Sequence, residues 1–165
     1  EFVTVAETTR RIRRFVESKF LVAWLSQNVL EIEVEGKDLG SACILIHHNN
    51  VIRNAKNWYA FNDNKLFLPD SGGRFTIELG PTSQDTTRVT NFPQRARIFD
   101  IQGDGHFLIF EFAGEGNVEL QLEQDIDYVI ESSSQCEIKR NGKSLLLNFQ
   151  NEDTHLVEVR PTTRQ

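Results

Sequence analysis

From Val29 the chain alternates. Leu30, Ile32 and Val34 are apolar while Glu31, Glu33 and Glu35 are charged, the period-two pattern of a strand with one face on a core and the other in water. Alternating or apolar runs recur over 42–47, 65–68, 74–79, 96–101, 107–112, 118–122, 128–131, 136–139, 145–149 and 156–159. Turn chemistry separates them: Ser71-Gly72-Gly73, Gly103-Asp104-Gly105, Gly114-Glu115-Gly116 and Asn141-Gly142. Asn-Gly between two alternating runs is a strong hairpin signal. Residues 6–25 read differently. Ile12, Phe15, Val16, Phe20, Ala23 and Trp24 recur at three- and four-residue spacing, which predicts one amphipathic helix. Thr4 and Glu7 stand at the spacing of a capping box at its start.

Many short strands joined by hairpin turns, after a single helix, predict an all-β fold. The expected architecture is an antiparallel β-sandwich of jelly-roll or immunoglobulin-like type. Residues 1–27 form a helical linker or packing segment in this reading, and residues 28–165 the sandwich. No repeat of 20–50 residues is present, which excludes a propeller or solenoid. Two irregular stretches, 48–64 and 80–93, are predicted loops, long enough to carry function.

Composition narrows the classes. The chain has 165 residues with 39% hydrophobic, enough for one domain with a real core. Net charge is −6, which argues against a general nucleic-acid binder. The charge is uneven: Arg10, Arg11, Arg13, Arg14 and Lys19 crowd the N-terminal segment, and nine acids with no Lys or Arg lie between Asp104 and Glu137. The basic run is offset by Glu7 and Glu17 and reads as a solvated helix face or a contact with an acidic neighbouring domain. No apolar run approaches the roughly 18 residues of a membrane helix, and the opening residues lack the pattern of a signal peptide. No membrane partner is expected. Cys43 and Cys136 lie in strand-like apolar contexts, so buried free thiols are expected, with one disulfide as the alternative. No Met occurs and the sequence begins Glu1-Phe2; a piece of a larger protein is the simpler expectation.

The densest constellation is His47-His48-Asn49-Asn50, Arg53-Asn54 and Asn57-Trp58-Tyr59-Ala60-Phe61-Asn62-Asp63-Asn64. A sugar presents an apolar ring face and a rim of hydroxyls, which an aromatic platform with amides, carboxylates and arginine can satisfy. Trp58 or Tyr59 as platform, with Asn57, Arg53, Asn62 and Asp63 as hydroxyl partners, fits that chemistry. The alternative is that Trp58 and Phe61 plug the end of the sandwich while the Asn residues make turns. An exposed Trp58 favours a glycan; a buried one favours a structural or protein-interaction domain.

Other chemistry is thinner. His47 and His48, adjacent on an extended run, point to opposite faces and cannot easily share a metal; His106 and His155 are isolated. No nucleophile elbow or phosphate loop occurs. No cofactor is expected, although Asp100, Asp104, Asp125 and Asp127 offer a structural calcium site as the alternative to solvated turn acids. Glu111, Glu119 and Glu131 read as wet strand faces, and catalysis would need a cleft with paired titratable groups, such as Glu111 with His106.

Several segments together resemble β-sandwich accessory domains of bacterial exported polysaccharide-processing proteins of hydrolase or deacetylase type. They are Thr9-Arg10-Arg11-Ile12 running into Ser26-Gln27-Asn28, Trp58-Tyr59-Ala60-Phe61 with Leu66, residues 89–97, the hairpin over 136–149, and residues 155–161. The resemblance implies a secreted or cell-envelope, non-catalytic module that holds polysaccharide or oligosaccharide or braces a neighbouring domain of the same polypeptide. It would make the helix the join to that domain, and it carries over no residue.

Overall fold

The computed structural model describes residues 5–124 and 126–162. Thr4 of the expected capping box and Asp125 of the acidic set lie outside them, as do the side chains of Glu7, Arg11 and Phe15. Helix α1 (Val5–Glu17) is followed by β1 (Lys19–Ser26), β2 (Val29–Glu35), β3 (Cys43–Leu45), β4 (Val51–Lys56), β5 (Lys65–Phe67), β6 (Gly72–Gly80) and β7 (Arg88–Asn91). Then come β8 (Arg97–Gly103), β9 (Leu108–Ala113), β10 (Gly116–Gln121), β11 (Tyr128–Ser132), β12 (Cys136–Asn141), β13 (Ser144–Phe149) and β14 (Thr154–Pro161). The protein is all-β in class, and its strand ladders are antiparallel.

There are three four-stranded sheets, ordered β1-β2-β6-β4, β12-β13-β10-β7 and β11-β14-β9-β8, and a small separate β3-β5 pair. Alternation supplies one core between them. Leu30, Ile32 and Val34 of β2, Leu108, Phe110 and Phe112 of β9, and Leu145, Leu147 and Phe149 of β13 all point inward. Phe92, Phe112 and Phe149 pack edge-to-face at 5.1–5.7 Å, the geometry that the ring quadrupole favours. His155 is fully buried against them, 4.3 Å from the Phe149 ring. Gly72 lets β6 meet β2, because a Cβ there would stand 2.3 Å from the Val34 carbonyl oxygen at a φ of +71°.

The N-terminal segment differs from its sequence reading. The helix expected over 6–25 stops at Glu17, where the Ser18 N–H and hydroxyl both donate to the Arg14 carbonyl, at 3.1 and 2.7 Å. The chain then extends. Lys19–Ser26 pairs with β2, Phe20 with Val34, Val22 with Ile32 and Trp24 with Leu30, and the register shifts between Trp24 and Ser26. Gln27 and Asn28 form the two-residue turn of this hairpin, so the boundary expected between residues 27 and 28 falls inside one ladder. Two further strands, β4 and β7, lie in the predicted loops 48–64 and 80–93.

Candidate functional site

Strand β4 leads to Asn57, whose φ of +58° turns the chain and sends Trp58 inward. Trp58 is 8% exposed. Its Nε1–H donates to the Phe67 carbonyl at 2.8 Å, and its ring meets Phe75 edge-on at 5.4 Å. A platform needs an open ring face, and Trp58 offers none. Tyr59 is half-buried, and burial followed by the nearby Asp104 charge pushes its hydroxyl up from its ordinary pKa. Arg53 pairs with Glu78 at 3.4 Å. The Asn62 side chain accepts from the Lys65 N–H at 2.9 Å and donates to the Thr90 carbonyl at 3.1 Å. Asp63 accepts from the Ser83 hydroxyl at 3.0 Å. Arg53, Trp58, Asn62 and Asp63 thus each have a partner within the chain.

Sequence reading missed Arg88 in the same neighbourhood. It is buried, lies 4.9 Å over the Phe61 ring and donates to the Gln84 carbonyl at 2.8 Å. Burial lowers its pKa, against the raising charges of Asp63 and Asp85.

A cleft of about 460 Å³ opens between β3, β5 and the segment joining β7 to β8. Phe67, Phe92 and Ala96 contribute apolar walls, and Lys65, Arg95, Asn91 and Gln94 contribute polar ones. Its lining holds neither carboxylate nor histidine; Cys43 and Lys65 are its titratable groups besides Arg95. Free Cys43 lines it and is exposed, because β3 is a short strand with an open face. The expectation of two buried thiols is corrected there; Cys136 is free and half-buried.

The remaining titratable groups have local roles. His106 pairs with Glu123 at 2.5 Å rather than with Glu111, and this bond, then the carboxylate's charge, raises the imidazole pKa. Asp104 caps its turn by accepting from the His106 and Phe107 N–H groups at 2.8 and 2.9 Å. Asp100 accepts from the Ile101 N–H at 2.9 Å. Among the described residues no group of three or more His, Cys, Asp or Glu could hold a metal ion. His47 and His48 are exposed, and His48 faces Trp24 with ring centroids 6.0 Å apart.

The most unusual surface is β1. All eight of its residues are exposed, among them Leu21 and Val22 at 61%, Leu25 at 57% and Trp24 at 55%. Because Phe20, Val22 and Trp24 share a face with buried Val34, Ile32 and Leu30, they continue the core face of the sheet past the edge of the core. Soluble monomers rarely leave such a contiguous patch open. The sequence signal was present as an apolar run of Phe20-Leu-Val-Ala-Trp-Leu25, assigned there to a helix. No protein-family model, no curated protein and no solved structure matches the chain.

Proposed function

We propose that this chain is a non-catalytic protein-interaction domain of antiparallel β-sandwich architecture, which docks its partner by strand addition at β1. The observation that carries the reading is the open strand itself. It has eight residues, all exposed, stands at the end of its sheet and carries large apolar side chains on both faces. Strand addition supplies affinity through main-chain hydrogen bonds and specificity through alternate side chains. The buried Trp58 supports this reading over a glycan platform. An accessory role beside a catalytic domain is compatible with it, the domain then bracing rather than holding substrate.

A second reading has one observation in its favour: the amides and cations of the cleft stand over partly apolar walls, a lining suited to an acidic sugar. Tryptophan fluorescence separates the two. In a Trp24→Phe variant the sole reporter is Trp58, which is hydrogen-bonded to Phe67 of the cleft wall. Titration with a panel of neutral and uronate-containing polysaccharides should leave its emission flat. A saturable shift would overturn the interaction reading in favour of the cleft. Selection of displayed random peptides on the wild-type chain should enrich extended, alternately apolar sequences that no longer bind Val22→Lys. A monomeric chain that selects none counts against docking at β1.

A further inference from the structure

We propose that the strand added at β1 is β1 of a second copy of this chain, giving a two-fold dimer in which two four-stranded sheets fuse into one of eight. The proposal rests on the reading of β1 as a docking strand and names its partner.

Symmetry tests the idea against the sequence. In an antiparallel pair, directly opposed residues share a face, so a two-fold axis must pass through a residue, not between two. With Val22 on the axis, Phe20 opposes the partner's Trp24 on the core face, and Leu21 opposes the partner's Ala23 on the outer face. Every central position is then apolar against apolar. Lys19, the one charged residue of KFLVAWLS, lies three residues from the axis, so like charges do not meet; the ladder shift between Trp24 and Ser26 limits the regular pairing to the residues up to Trp24. Aromatic and β-branched cross-strand pairs are the stabilising kind.

Exposure and charge agree. Phe20, Leu21, Val22, Trp24 and Leu25 are 39–61% exposed, roughly 500 Å² of apolar surface per copy, of which strand pairing covers the part that faces the seam. Helix α1, joined to β1 through Ser18 alone, carries exposed Ile12 and Val16. The helix carries four arginines against two glutamates on a chain of net charge −6. A basic arm on an acidic body is complementary to an identical copy.

Most other edges of the four-stranded sheets carry charges or bulges; β1 has its own ladder shift, between Trp24 and Ser26, and is set apart by its exposed apolar side chains. Strand β4 carries Arg53, Lys56 and a bulge between Ile52 and Asn54. Strand β12 carries Glu137, Lys139 and Arg140, β11 carries Glu131, and β8 carries Asp100 beside a bulge. Strand β7 continues into a bridge between Val89 and Ala60. Charges and bulges of this kind are how natural sheets avoid edge-to-edge pairing.

Sedimentation equilibrium from about 0.1 to 100 μM tests the proposal, with the range set by ordinary affinities. The expected result is a species of twice the 19.0 kDa chain mass, whose dissociation constant rises roughly a hundredfold or more in Val22→Lys, where two ammonium groups would meet on the axis. In a Cys43→Ser, Cys136→Ser background, Val22→Cys should oxidise to a disulfide-linked dimer, or Ala23→Cys should if the register lies one residue along. A dimer that persists in Val22→Lys and cross-links through neither cysteine overturns the proposal. So does a wild-type chain that stays monomeric throughout. In that case selected peptides that require Val22 would leave the docking strand standing with a foreign partner, while no such peptides would remove both.

Discussion

The two edges of the first sheet make opposite choices. At one end, β1 presents Leu21, Val22, Trp24 and Leu25 to solvent with one charge in eight residues. At the other, β4 buries Ile52 and Ala55, exposes Arg53 and Lys56, and breaks its ladder with a bulge. Both strands pair with an equally regular neighbour, β2 or β6. The difference therefore lies in the edge side chains rather than in the sheet behind them. Both edge strands carry a ladder shift, β1 between Trp24 and Ser26 and β4 between Ile52 and Asn54, so what distinguishes them is charge: β4 exposes two cations, whereas β1 is apolar over nearly its whole length.

Each strand has a tryptophan close by, and substituting them should separate the edges most sharply. Trp58, just past β4, fills core volume and satisfies its indole N–H. Trp58→Ala should cost about 3–5 kcal/mol of folding stability, the range for truncating a buried aromatic side chain. Trp24, at 55% exposed, should cost at most about 0.5 kcal/mol on the same substitution, measured by denaturant unfolding at concentrations too low for association. Association itself should weaken in Trp24→Ala. Equal losses of stability at the two sites would dissolve the comparison.

A smaller effect follows from removing the guards of β4. Arg53→Val together with Lys56→Val leaves the bulge in place but makes the edge apolar. A sheet open at both ends can add copies without closure, so light scattering should rise with concentration beyond the dimer. Because the bulge still bends the strand, the effect should be partial. Unchanged scattering would show that the bulge alone protects this edge.

These edges were unevenly legible in the sequence, for reasons that particular residues make plain. Strand β2 was readable because Leu30, Ile32 and Val34 alternate with glutamates without interruption. Strand β1 was not, because Phe20, Ala23 and Trp24 satisfy helical spacing while Phe20, Val22 and Trp24 satisfy strand spacing, and only pairing with β2 decides between them. Strand β4 hid behind its own bulge: the shift between Ile52 and Asn54 places the two inward residues, Ile52 and Ala55, three apart instead of two. Strand β7 has four residues and starts at a buried arginine, which reads as loop. At the candidate site, Trp58 was found by composition, but its burial depends on the Phe67 carbonyl, nine residues onward. The cleft draws Cys43 and Asn91–Ala96 together from distant parts of the chain, and no local pattern announces that.

The smallest expected effect lies away from both edges and serves as their reference. The His106 Nδ1–H donates to the Glu123 carboxylate at 2.5 Å, and that hydrogen bond, followed by the carboxylate charge, raises the imidazole pKa above the ordinary 6.5. A raised pKa means that the folded state holds the proton more tightly than the unfolded chain does. The pair's stabilisation is thus fully present below about pH 6.5 and fades as pH rises through the folded-state value. With the imidazole 60% exposed, solvent and salt screen the pair, and the change in stability should be slight and should shrink further at high ionic strength. An NMR titration of the imidazole protons should give a midpoint above 6.5 in the wild type and a lower one in Glu123→Gln. Coinciding midpoints would mean that the pair does not persist in solution. Because the pair lies outside the first sheet, the Glu123→Gln substitution should leave the β1 association constant unchanged at fixed pH, which separates a local charge contact from the strand edge that the fold leaves open.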